Sequence, residues 1–246
     1  MSANSNNVSP STSRGIRNSS GTAHDQRRGP VAAVVERSQP LGVRRETVQR
    51  TLALYREELD KLSREKKGPK TSLPTVVANI FQKHQRCLNA TKRIGHVSGI
   101  QVGDRFQYRA ELFIIGLHRQ RSNGIDFKRG ENGQNLAISI VASGCYDNDM
   151  SSPDEIVYCG QGGNPTVSSR IVDQRWTGGN LALRNSIRAR NPVRVIRGFK
   201  YSKPSTTDGT KSGYVYVGLY YVKEWKQERG RYGKLVFKFT LKRIIE

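Results

Sequence analysis

The stretch "SGCYDNDMSSPDEIVYCGQGG", Ser143–Gly163, gathers two tyrosines, two cysteines, four acidic residues and four glycines in a chain that is otherwise strongly basic. It follows the apolar run "LAISIVAS" (136–143) and encloses "EIVYCG" (155–160). Both runs are short and β-branched and are bounded by turn formers, so they read as strands. Between them "DNDMSSPDE" is rich in Asp, Asn, Ser and Pro, residues whose short side chains or fixed φ favour turns. The reading is strand, loop, strand. A hairpin there would be able to bring Tyr146 and Tyr158, twelve residues apart, onto facing sides of one slot, while on the residues alone Tyr158, inside "EIVYC", reads first as a core strand residue and Tyr146 equally as either.

The same period of two recurs on either side. Phe106, Tyr108, Ala110, Leu112 and Ile114 alternate with polar or small residues and read as a strand. "VRVIRGFK" (193–200), "YVYVGLYYVKEW" (214–225) and "KLVFKFTLKRI" (234–244) are further strands, and "GNLALRNSIRAR" (179–190) is a short helix. Before position 94 the period is helical. Val48, Leu52, Tyr55, Leu59 and Leu62 draw one apolar stripe, stopped by Gly68-Pro69, and a second pattern runs through Val76, Val77, Ile80, Phe81, His84 and Leu88. The first stripe suits either packing on the following domain or self-association through 46–62; it spans too few heptads to read as a secure coiled coil. His84 falls on the apolar side of the second pattern and reads as a packed or bordering histidine. Many short strands with few helices predict a mainly β chain with flanking helices, an α+β fold built on a curved or barrel-like sheet.

Charge bounds the partner. The 246 residues carry a formal net charge of +22, and only 35% are apolar. Residues 1–45 hold seven arginines against Asp25 and Glu36, a net of +5, which leaves +17 on the rest. The Ser-, Asn-, Gly- and Arg-rich start is expected to be a disordered basic tail. A folded body this basic implies a polyanion, with nucleic acid ahead of an anionic membrane. No run approaches the roughly 18–20 apolar residues of a membrane helix. The N-terminus lacks the apolar core of a signal peptide. Cys87, Cys145 and Cys159 are odd in number without CxxC spacing, which favours reduced thiols in the cytosol or nucleus. His24, His84, His96 and His118 show no metal-ligand spacing, so neither a metal nor a cofactor is expected.

Seven segments appear in a specific order: "VSGIQVGDRF", "GLHRQRSNGID", "AISIVASGCYDND", "YCGQGG", "DQRWTGGNLAL", "PVRVIRG" and "YVYVGLY". Together they resemble the SET- and RING-associated (SRA or YDG) domain, in the form carried by plant Su(var)3-9-type histone methyltransferases. The resemblance covers 94–246, with 46–93 as a helical segment preceding it or packing on it, and implies a PUA-like, barrel-like fold. It also implies a nuclear protein that binds double-stranded DNA containing 5-methylcytosine and rotates that base into a pocket. Chromatin proteins or histone methyltransferases are implied as further partners. No pre-SET or SET sequence lies in the chain, so methyltransferase activity is not carried over and no enzyme is expected.

The resemblance also assigns residues. Tyr146 and Tyr158 stack on the extruded base. Asp149 accepts from the exocyclic amine of cytosine, a donor that thymine lacks. Ser143, Gly144 and Cys145 contribute backbone contacts, and Cys159 lines the same pocket. "HRQRSNGID" (118–126) matches a loop pushed into the gap left by the base, with Arg121, Ser122 and Asn123 at its tip. "GGNPTVSSR" (162–170), ending on Arg170, stands where a second groove-reading loop is found and is short. From charge alone, Arg119, Lys128, Arg129, Arg175, Arg188 and Arg190 are expected on phosphates. Three positions depart from the family pattern. Cys145 replaces a glycine, Cys159 a Ser or Thr, and Val217 the aspartate of the YDG triplet, leaving "YVG". These departures favour one alternative, a non-selective basic nucleic-acid-binding or scaffold protein with a degenerate pocket. An enzyme built on the pocket would need an acid–base pair, and Asp149 has no evident partner for that work.

Overall fold

The computed structural model describes residues 42–65, 72–144, 146–163, 172–201 and 211–245, the side chains of 200, 201, 211 and 212 excepted. The expected disordered tail lies almost wholly outside these residues, as do Cys145 and Arg170. All described residues fall in one unit, Pro40–Glu246.

The helical stripe forms α1 (Arg45–Glu65), with Val48, Leu52, Tyr55 and Leu59 buried at steps of three and four. Helix α2 (Leu73–Lys83) begins with Pro74 in its first turn, where the missing N–H costs nothing. Tyr55 meets Phe81 edge-on at 5.7 Å and its hydroxyl donates to the Pro74 carbonyl at 2.8 Å. The stripe thus packs within the chain, the first of the two roles that the sequence left open. His84 caps the end of α2 and is exposed rather than packed, because the chain turns left-handed at Gln85 (φ 55°) and leaves the helical face.

Residues 106–114 depart from the strand expected there. Only β1 (Arg105–Phe106) is extended; α3 (Arg109–Ile114) follows. Glu111 decides this. Its carboxylate accepts from the backbone amides of Gln107 (2.5 Å) and Tyr108 (3.2 Å), satisfying donors that a helix N-terminus leaves open. Arg56 holds the same buried carboxylate at 2.7 Å. Glu111 through Ile114 are all buried, so the alternation seen in the sequence does not mark an exposed face.

The remaining strands are β2 (Ile125–Arg129), β3 (Asn135–Ala142), β4 (Glu155–Cys159), β5 (Val193–Tyr201), β6 (Lys211–Arg229) and β7 (Leu235–Arg243), with α4 (Gly178–Ala189) before β5. They form one mixed sheet in the order β2-β3-β5-β6-β7-β4, β1 adding to β6. Every pairing is antiparallel except β3 with β5. β2 has only two large apolar residues among five, which explains why periodicity does not reveal it. β3 and β4 do not pair as a hairpin: β4 lies at the far end beside β7.

Apolar side chains cover both faces of the sheet. Val141, Ile196 and Tyr216 join the core under α1–α3, while their neighbours Ile140 and Val195, with Tyr220, join the core under α4. Bulges at Asp126/Phe127, Val195/Ile196 and Val222/Glu224 add local bend and twist. The sheet stays open, yet it curls until the start of β2 stands against β4. A Cβ on Gly124 would lie 2.4 Å from the Tyr158 hydroxyl. At Val217 the backbone carbonyl accepts from Arg243, whose Nε finds no acceptor among the described residues.

Candidate functional site

The curl leaves a cavity of about 440 Å³ between the two edges of the sheet. Tyr146 and Tyr158 both line it, with Ser122 to Gly124 on one side and Gln161 to Gly163 on the other. The rings meet there without a hairpin, because the loop after β3 folds back onto β4. Asp149 exchanges backbone hydrogen bonds with Val157, both 2.8 Å. Asn148 accepts from the Cys159 amide at 2.8 Å, and the buried ammonium of Lys238 reaches the Asp147 carbonyl and, at 3.0 Å, its carboxylate. Three consecutive residues are therefore tied to β4 and β7, and Tyr146 is held directly before them. Its hydroxyl accepts from the Gly162 amide at 3.1 Å, closing the cavity wall. Tyr158 sits in β4 opposite Phe239, and burial pushes its phenol well above the usual range, against the opposing pull of Arg109.

A polar network fixes the rim formed by 118–124. His118 is fully buried, with Nδ1 2.9 Å from the Ser139 hydroxyl and Nε2 3.0 Å from the Asn123 carbonyl. Arg109 donates to the same carbonyl and to that of Gln120. Burial, then the neighbouring Arg109 charge, holds the imidazole pKa down at about 3, so the ring is neutral. Arg109 itself lines the cavity. It was not among the sequence candidates, since a lone arginine in an apparent strand carries no signal.

The expected residues divide. Ser122, Asn123, Ser143, Tyr146, Tyr158 and Arg175 share the main cavity. Gly144 and Cys159 line an adjoining cavity of about 270 Å³ that shares the Tyr146 wall. Burial raises the Cys159 thiol above its ordinary range. Asp149 is not on either wall. Its exposed carboxylate accepts from the amide (3.0 Å) and hydroxyl (2.7 Å) of Ser151, which, the hydroxyl first, hold its pKa below the usual carboxylate value. Arg121 also points elsewhere than expected. Its guanidinium lies over Phe113 at 4.0 Å and donates to Gln82 at 2.6 Å, against the helical layer. Arg119 stacks on the same ring at 4.9 Å. Lys128 and Arg129 lie at the far end of β2, about 15 Å from Gly124 at ~3.3 Å per residue. Arg188 and Arg190 stand at the distal end of α4, a similar distance from Asn180 at the cavity.

Two carboxamides brace the cavity floor. Gln174 accepts from the Phe237 amide (2.8 Å) and donates to the Gly160 carbonyl (2.6 Å). Asn180, in the first turn of α4, accepts from the Gln161 amide and donates to the Gln161 carbonyl, both at 2.9 Å. Both residues lie inside segments noted in the sequence, but their roles depend on contacts across the fold.

The SAD/SRA domain model matches residues 93–246. The chain is 40% identical over 208 residues to the histone H3 lysine-9 methyltransferase SUVH5 of Arabidopsis thaliana, covering 80% of this chain and 26% of that protein. It is also 40% identical over 235 residues to a YDG domain-containing protein of Arabidopsis thaliana, covering 90% of this chain and 55% of that one. The chain thus spans about a quarter to just over half of these relatives. Among solved structures, the SUVH5 SRA domain in complex with fully methylated CG DNA matches at TM-score 0.54 and 46% identity, over 63% of this chain and 96% of that one. KRYPTONITE in complex with mCHG DNA and SAH matches at TM-score 0.72 and 34% identity, over 82% of this chain and 44% of that one.

Proposed function

The chain belongs to the SAD/SRA domain family, and from that footing we propose that it reads 5-methylcytosine in double-stranded DNA by turning the base out of the duplex. The receiving site is the cavity walled by Tyr146 and Tyr158. The observation that carries this reading is the convergence of two phenol rings, brought from a loop and a strand, on one cavity with a basic rim.

Extrusion costs a few kcal/mol in lost stacking and pairing. Contact with an aromatic face returns about 1–3 kcal/mol per base. The methyl group adds ~0.8 kcal/mol by area and up to about 1–3 kcal/mol in a fitted nook, so methyl preference is moderate and phosphates supply most of the affinity. Ser122 and Asn123 are the loop residues placed to enter the vacated gap. Ser143 and Gly144 offer backbone contacts, with Cys159 on the adjoining cavity; Cys145, outside the described residues, is the third backbone contact that the resemblance implies. Arg109 and Arg175 line the cavity, while Arg119, Lys128, Arg129, Arg188 and Arg190 serve phosphates farther out; Arg170, outside the described residues, keeps the loop role that the resemblance implies. The proposed setting is the nucleus, with chromatin proteins, among them histone methyltransferases, as partners. No bond is broken in this scheme; the protein acts as a reader.

One observation favours a second reading. The Asp149 carboxylate accepts from Ser151 through one oxygen and is not among the residues lining either cavity, as a non-selective binder with a weakened pocket would have it. Titration of matched duplexes with and without 5-methylcytosine separates the two. The reader binds methylated DNA about 5-fold or more tightly, raises the fluorescence of a 2-aminopurine beside the modified site, and loses about 5- to 150-fold in affinity on Tyr146→Ala. Equal affinities that respond only to salt, unaffected by Tyr146→Ala, would establish the non-selective reading instead.

A further inference from the structure

We propose that the sheet carries a second ligand site, a pocket for a phosphate-type oxyanion held between Arg197 and Arg243. It does not depend on extrusion of a base. Three strands build it. β5 supplies Arg197, β7 supplies Arg243, and β6 between them supplies Val217 and Tyr220. Ser151 and Ser152, from the loop before β4, complete the lining. The cavity measures about 140 Å³. That is below the ~300–1,000 Å³ of a drug-sized site and several times the ~30 Å³ of one water, so it suits a small polyatomic ion. The "YVG" departure seen in the sequence falls on this wall, and among the described residues no Asp or Glu lines the cavity.

The donors are held in place. The Arg243 amide donates to the Asp154 carbonyl at 2.7 Å, its Nη2 donates to the Val217 carbonyl, and its guanidinium lies 5.7 Å from the Tyr220 ring centre. Tyr220 is fixed in turn, its hydroxyl donating to the Pro153 carbonyl at 2.6 Å. The other end of the Arg243 fork, Nη1, makes no hydrogen bond among the described residues, and neither does the Arg197 guanidinium. The Ser152 hydroxyl accepts from the Asp154 and Glu155 amides at 3.2 and 3.3 Å, which leaves its proton to donate. Two guanidinium groups on one cavity repel; an anion between them replaces that repulsion with two attractions. Neither Asp149 nor Asp154 lines the cavity. Guanidinium forks match phosphate oxygens. A cavity of about 270 Å³ shares Met150, Ser151 and Arg197 with this one and reaches Tyr146. The phosphate therefore has two sources, a phosphodiester of bound duplex or the free ion.

The test uses the full chain and inorganic phosphate as the probe, with thermal unfolding followed at a constant ionic strength set by sodium chloride. Wild type shows a saturable rise in Tm with phosphate, as a ligand confined to the folded state produces. Arg197→Gln and Arg243→Gln each weaken the fitted affinity about 10- to 150-fold, the range for one charged hydrogen bond. Arg50→Gln, an equal loss of charge on the exposed side of α1, leaves it unchanged. Val217→Asp sets a carboxylate on the lining and abolishes the response. Arg197 is exposed, so its variant reports on the site even where loss of Arg243 unfolds the chain. No rise in wild type, or a rise that Arg197→Gln and Val217→Asp leave intact, overturns the site and reduces the effect to general attraction of anions by a chain of net charge +22. Repetition with saturating unmethylated duplex separates the sources. Displacement of phosphate by the duplex assigns the site to a DNA phosphodiester, and undiminished phosphate binding assigns it to the free ion; either upholds it. Loss of the base-flipping reading leaves these results untouched.

Discussion

Replacing Gly124 with alanine probes a close contact between the two edges of the sheet. The added Cβ lies 2.4 Å from the Tyr158 hydroxyl, about 1 Å inside an ordinary van der Waals contact, while its next neighbours are comfortable at 3.5 Å (Val141 carbonyl) and 3.8 Å (Tyr158 Cζ). Gly124 is not in the left-handed region, so the backbone accepts alanine and the cost is steric. Tyr158 is 2% exposed and backed by Phe239, so its ring has little room to retreat. Overpacking of this kind costs about 1–3 kcal/mol, which in a chain of this size lowers Tm by about 2–4 °C per kcal/mol. Tyr158→Phe removes the offending oxygen and leaves only the 3.8 Å contact. Urea denaturation of wild type, both single variants and the double variant closes a double-mutant cycle. The expected result is a favourable coupling of about 1–3 kcal/mol, with the double variant nearly as stable as Tyr158→Phe alone. 5-Methylcytosine binding weakens in Gly124→Ala because the strain is relieved by moving a cavity wall. Additivity of the two substitutions within about 0.5 kcal/mol would refute the claim that the sheet edges meet at this point.

Two further predictions concern the groups that hold the cavity rim. His118 has its pKa held down at about 3 against an ordinary value of 6.5. As pH falls through about 6.5 the unfolded chain gains a proton that the folded chain refuses until about pH 3. The stabilisation is therefore complete above that window and lost on acidification, at up to ~1.4 kcal/mol per pH unit. Urea melts at pH 6.5 and pH 5 are expected to differ by about 1.5 kcal/mol more in wild type than in His118→Gln; an equal pH response in both would show that the buried ring is not the titrating group. Lys238→Met severs the tether to Asp147. That residue's carboxylate is 81% exposed and adds little, but the bond to its backbone carbonyl, from a charged donor, is worth about 1.5–3 kcal/mol. Affinity for the methylated duplex is expected to fall roughly 10-fold as Tyr146 loosens, with partial rescue by Lys238→Arg; unchanged binding would mean that Asn148 and Asp149 position the ring unaided.

What the sequence settled is local. The short β-rich runs at 136–143, 155–160, 193–200, 214–225 and 234–244 mark strands because β-branched and aromatic residues bounded by turn formers suit a pleated sheet. The stripe through Val48, Leu52, Tyr55 and Leu59 marks α1 because those four share one face of a helix. The ordered motifs identify the family, and only through that resemblance were the two tyrosines legible as a pair. Across 106–114 the local signal misled, since a buried carboxylate capping a helix outweighs alternation. The tertiary structure decided the rest. Pairing of β3 with β5, the bulges and the curl that closes Gly124 on Tyr158 are set between segments far apart in the chain. Those contacts, not the spacing of residues, put Tyr146 and Tyr158 on one cavity, leave Asp149 off its lining and set Arg121 against Phe113. Periodicity reports which way a side chain faces; only the fold determines what it faces.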